Sequence, residues 1–154
     1  MSSRGDKLIF GLGNPILSDD SLGIRVVERL MAEHRDNGVV FETGSIGGFR
    51  ILDVINGFKE VVFVDSTPGE NPGTFKKLGL EDLSHSWHLT SPHTINLYTA
   101  IDLGEKLGME MPEDIRIYVM EVNPDQKFGE ELSDEVKKNI DSFVEFIKKE
   151  ELGG

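Results

Sequence analysis

The chain has no cysteine among its 154 residues. That excludes a disulfide framework, a zinc–thiolate centre and a cysteine nucleophile. No apolar run approaches the ~20 residues that a membrane-spanning helix needs. The amino-terminal MSSRGDK leads into a short strand and not into a secretory core, so the expected compartment is the cytoplasm, without membrane insertion. Basic residues are scarce as well: 16 Lys and Arg stand against 28 Asp and Glu, for a formal charge of −12. A nucleic-acid partner requires a basic surface, and none is expected here. No serine lies in a G-x-S-x-G elbow. Repeats, low-complexity tracts and internal linkers are also missing, so residues 1–154 read as a single domain large enough for a core of its own.

What the chain does contain is an alternation of short apolar runs and helical periods. Leu8–Phe10, Val39–Glu42, Glu60–Asp65 and Ile115–Val122 read as strands, with Thr74–Leu78 as a further edge strand whose Lys76 and Lys77 suit solvent. Among these, EVVFVD at residues 60–65 carries four consecutive apolar residues, as expected of a central strand covered on both faces. Helical spacing marks four segments: Ser21 to about His34, Phe49–Ile55, the stretch after Pro92, and a terminal helix capped by Ser133 with Lys and Glu on a solvated face. This order predicts a three-layer α/β/α sandwich around a mostly parallel, twisted sheet of about five strands.

The stretch Leu8–Gly23, LIFGLGNPILSDDSLG, combines a strand, a glycine turn, two acids and a helix start. In a parallel sheet such a turn lies at the carboxyl edge, where ligands bind. Asp19 and Asp20 suit helix capping, because a helix start exposes unpaired N–H groups. A dinucleotide fingerprint is incomplete, since Ile16 stands where the third glycine belongs. Right-handed crossovers would bring the turn after the third strand, with Asp65, to the same edge. A second glycine turn, Thr43–Gly48, serves either as turn chemistry alone or as an open backbone surface at Gly44, Gly47 and Gly48 for a bulky substrate. His34, His85 and His88 fit helix-end or surface positions.

The three separated motifs GLGN…DD, VVFVD and SPH (Ser91–His93) occur in the order found in the hydrogenase maturation endopeptidases, and nearly the whole chain resembles that family. The resemblance implies Asp20, Asp65 and His93 as nickel ligands, with Asp20 or Asp65 as candidate catalytic base. Asp20 stands where some members carry glutamate. The implied activity is removal of a carboxy-terminal peptide from the precursor of a [NiFe]-hydrogenase large subunit. Nickel would arrive with that substrate as the recognition mark. From its ample apolar strands, the chain is expected to be monomeric or weakly associated. Two other readings fit the same residues. Peptidyl-tRNA hydrolase shares a GLGNP-like start, but its histidine–asparagine pair is replaced here by Ser18-Asp19-Asp20. A non-catalytic acidic chaperone holding a metal-loaded partner is the second.

Overall fold

In the computed structural model, residues 5–14, 16, 18–34, 38–45, 50–79, 97–123, 129 and 131–153 are described. The chain runs β1 (Gly5–Leu12), a 3-10 turn (Ser18–Ser21), α1 (Leu22–Glu33), β2 (Val39–Gly44), α2 (Arg50–Ile55) and β3 (Phe58–Pro68). It continues through β4 (Phe75–Leu78), α3 (Leu97–Lys106), β5 (Asp114–Val122) and α4 (Asp134–Leu152). The five strands form one sheet in the order β2-β1-β3-β5-β4, with β4 antiparallel and every other pair parallel. This is the expected mostly parallel sheet, with its one antiparallel strand at an edge where Lys76 and Lys77 face solvent.

Alternate residues of a strand point to opposite faces, and the two cores follow from that period. Leu8, Phe10, Leu12, Val61 and Phe63 meet α2 and α3 through Ile51, Ile55, Leu97 and Ala100. Ile9, Val62, Val64, Tyr118 and Met120 meet α1 and α4 through Val26, Leu30, Phe143 and Ile147. Each central strand is therefore apolar on both sides, which explains the unbroken VVFV run. Among the described residues no helix is long and apolar enough to cross a membrane.

Three details depart from the sequence expectation. β3 does not stop at Asp65 but runs on to Pro68, because β5 extends alongside it as far as the Pro68–Val122 pair. Thr43 and Gly44 complete β2 instead of forming a turn, paired with Gly11 and Leu12. The charged face of α4 is not wholly solvated, since the Glu151 side chain is only 2% exposed.

Glu151 binds Lys7 Nζ at 3.0 Å, Arg116 Nε at 2.7 Å and the Tyr118 hydroxyl at 2.5 Å. Arg116 also reaches Glu60 at 2.8 Å and pairs with Asp114. Burial alone would raise the Glu151 carboxyl, but hydrogen bonds from Arg116, Tyr118 and Lys7 hold it down to about 2. Tyr118 is pushed well above the ordinary phenol range by burial and by its bond to that carboxylate. This cluster ties α4 to the amino ends of β1, β3 and β5, the edge opposite the glycine turns.

Candidate active site

The carboxyl edge is shaped by close backbone contact. α1 lies against β1 and β3 so tightly that a Cβ on Gly23 would stand 2.3 Å from both the Leu12 and the Val64 carbonyl oxygens. A Cβ on Gly13 would meet the Asp20 carbonyl oxygen at the same distance. That carbonyl accepts the Asn14 N–H at 3.1 Å, and Gly13 N–H donates to Gly44 O at 3.3 Å. Ser45 Oγ closes the other side by donating to Gly13 O at 2.7 Å. The glycines of the LIFGLGN stretch thus let the turn fold back onto the acid-bearing segment, so that Asp20 is fixed through its backbone.

Asp19 and Asp20 occupy the 3-10 turn ahead of α1 and are 2% and 5% exposed. They do different work. Asp19 accepts the backbone N–H of Ser133 at Oδ1 and its hydroxyl at Oδ2, both at 2.7 Å. Ser133 is the N-cap residue of α4, yet its hydroxyl makes no cap bond because it is engaged by Asp19. Ser21, the N-cap residue of α1, likewise makes no side-chain cap bond. Ser21 Oγ instead donates to Ser18 O at 2.6 Å and accepts from Arg25 Nε at 2.8 Å.

The same turn is held from outside by the segment before α4. Ser18 has φ of 26°, outside the usual range for a residue with a side chain. Its N–H donates to Gly129 O at 2.8 Å and its hydroxyl to Glu131 O at 2.7 Å; with Gly129 N–H to Ile16 O at 2.9 Å, three hydrogen bonds hold the conformation in place. Ile16 is left 53% exposed on the rim.

Asp65 is fully buried. It continues the alternation of Val61 and Phe63 and therefore projects on the face covered by α2 and α3. Gly11 pairs with Val64, and Leu12 pairs with Gly44, so Asp65 is level with Leu12 and Gly44 across the sheet. The next residue, Ser66, points to the opposite face, and its buried Oγ has no hydrogen-bond partner among the described residues.

Two concavities flank this edge. One, of about 290 Å³, is lined by Phe10, Glu42, Thr43, Gly44, Ser45, Arg50 and Val54. The other is an open groove of about 540 Å³ bounded by Pro68, Gly69, Glu70, Pro72 and Asn123.

Of the predicted site residues, Asp20 and Asp65 stand at one edge and Gly44 lines a cleft on it. His93, Gly47 and Gly48 lie outside the described residues, as do His85 and His88. Among the described residues no group of three His, Asp or Glu side chains is arranged to hold a metal ion. The bond from Asp19 to the start of α4 and the place of Arg50 in a cleft wall were not foreseen. Arg50 carries a signal only as a base in a glycine-rich segment, and Asp19 bonds across 114 residues of chain.

The hydrogenase maturation protease family model matches residues 24–150. A protein of Methanocaldococcus jannaschii named as a hydrogenase maturation protease is 32% identical over 155 residues, spanning 94% of this chain and 95% of the relative. Among solved structures, the hydrogenase maturating endopeptidase HybD of E. coli has a TM-score of 0.78 at 22% identity, covering 96% of this chain and 94% of that one. The [NiFe] hydrogenase maturation protease HycI of Thermococcus kodakarensis gives 0.66 at 25% identity, covering 94% and 90%. With an edge that presents two buried carboxylates beside open clefts, and with these matches along its length, the chain belongs to the hydrogenase maturation protease family and is a peptide-bond hydrolase.

Proposed function

We propose that this protein removes the carboxy-terminal peptide from the nickel-loaded precursor of a [NiFe]-hydrogenase large subunit, in the cytoplasm. The observation that carries the reading is the pair of buried carboxylates, Asp20 and Asp65, at the carboxyl edge of a sheet in a chain of this family. Nickel enters as part of the substrate. Two carboxylates and an imidazole are a donor set suited to a borderline divalent ion, and Asp20, Asp65 and His93 are the proposed set. His93 precedes Leu97 by four residues, and Leu97 packs on the sheet face from which Asp65 projects, which supports its inclusion. Nickel held by both partners would fix the scissile bond against the edge.

The chemistry is hydrolysis. One carboxylate, Asp20 or Asp65, takes a proton from water as the hydroxyl adds to the scissile carbonyl carbon. The carbon–nitrogen bond then breaks, and the proton passes to the departing amine. Absence of cysteine leaves no thiolate to take the place of water. The polar turn and the flanking clefts offer an extended peptide a path along the edge.

The test is the intact mass of a hydrogenase large-subunit precursor before and after incubation with the protein. One short carboxy-terminal fragment should appear with the wild-type chain and not with Asp20→Asn. A precursor bound but left uncut would support the chaperone reading, and hydrolysis of peptidyl-tRNA would support the other.

A further inference from the structure

The 290 Å³ cleft at the end of β2 has neither Asp20 nor Asp65 in its lining. We propose that it is a peptide subsite in which Arg50 recognises a carboxylate of the substrate about three residues from the scissile bond. The proposal rests on the proteolytic reading and specifies which substrates that site accepts.

Arg50 is set apart by what it lacks. Among the described arginines, Arg25 bonds Ser21, Arg29 bonds Asp141, and Arg116 is saturated by Glu151, Glu60 and Asp114. Among the described residues, the Arg50 side chain is the one arginine side chain with neither a hydrogen bond nor an ion pair. In a protein with 28 acidic against 16 basic side chains, an arginine without an acid is the exception. Its planar guanidinium presents a fork of donors that matches a carboxylate. Glu42 lines the same cleft and forms no ion pair with Arg50, so the guanidinium is not neutralised from within. The Glu42 carboxylate can accept N–H groups of the peptide whose acid reaches Arg50, while Phe10 and Val54 supply an apolar wall.

Placement relates the cleft to the chemistry. Phe10 and Val54 belong to the core face from which Asp65 projects. Asp65 is level with Gly44, two strands away, because Gly11 pairs with Val64 and Leu12 with Gly44. Two strand spacings are about 10 Å, which an extended peptide covers in about three residues. Ser45, at the cleft, also donates to the Gly13 carbonyl ahead of the acid-bearing turn, which ties the cleft to that turn.

The test uses three short acetylated peptides of Ala and Val: one with a free carboxyl terminus, one amidated, and one amidated with an internal Asp. Each is titrated into the 15N-labelled full chain. The free acid, the Asp peptide, or both should bind about fivefold tighter than the neutral amide, the scale of one guanidinium–carboxylate pair open to solvent. Shifts should centre on Gly44, Ser45, Val54 and the Arg50 Nε–H. Which acidic peptide wins tells a terminal carboxylate from a side chain. Arg50→Gln should erase the preference, Arg50→Lys should keep part of it, and Arg29→Gln should leave it intact. Equal binding of all three, absence of binding at millimolar peptide, or a preference that survives Arg50→Gln overturns the proposal. Binding is read without cleavage. A chain that prefers acidic peptides yet leaves the precursor uncut refutes the proteolytic reading alone, and one that cuts the precursor while ignoring peptide charge refutes this inference alone.

Discussion

Asp19→Ala separates two adjacent acids that the sequence presents as a pair. Asp19 is buried, and its two oxygens accept the Ser133 N–H and hydroxyl at 2.7 Å each. Hydrogen bonds to a charged group contribute ~1.5–3 kcal/mol apiece. Truncation removes both and strands two part-buried donors, while water entering the vacated space restores some of the loss. The net cost should be about 2–4 kcal/mol, which for a chain of this size lowers Tm by roughly 5–15 °C. Urea unfolding at neutral pH, followed by circular dichroism, measures it directly; the midpoint should fall with the slope unchanged. Asp20→Asn, one residue on, should stay within about 1 kcal/mol of wild type while losing cleavage, since it keeps the side chain's size. An Asp19→Ala chain as stable as wild type would refute the stapling role. Loss of cleavage at temperatures where that variant is fully folded would move Asp19 into the reacting machinery.

Acid should unfold the protein partly through Glu151. Its carboxyl lies below the ordinary value of 4.5 in the folded chain, at about 2. The stabilisation is therefore fully present above pH 4.5 and is lost as pH falls toward 2, at most about 3 kcal/mol in all. Urea midpoints across that window should fall more steeply for wild type than for Glu151→Gln, and parallel curves would contradict the assignment. Gly23→Ala should cost at least ~3 kcal/mol, because its Cβ would meet two backbone carbonyls that cannot turn aside. A melting temperature near wild type would show that the α1 seat is looser than described. His93→Ala should abolish precursor cleavage and His85→Ala should leave it intact, read by product mass; the reverse result would exchange their roles.

Periodicity made the strands, the helices and the three-layer arrangement legible, because each apolar run needs one or two covered faces. The carboxyl edge was also legible, since glycine turns and acids follow the strands there. Partnership across long sequence distance was not. Nothing local shows that β5 would carry β3 past Asp65 to Pro68, that Ser133 would bond Asp19, or that Glu151 would turn inward to Arg116 and Tyr118. Each depends on which segments meet in three dimensions. That Arg50 forms no ion pair among the described residues was invisible for the same reason, because a sequence reports a charge but not its neighbours. Asp20 and Asp65 came from local position together with family resemblance, and neither alone would have distinguished Asp20 from its neighbour.

The proposed action on a nickel-loaded precursor is tested most directly by comparing nickel-loaded with nickel-free large-subunit precursor under identical conditions. Product mass should show one short carboxy-terminal peptide released from the loaded form and none from the nickel-free form, because only bound metal would align the scissile bond with Asp20 and Asp65. Equal cleavage of the two forms would contradict nickel as the recognition mark.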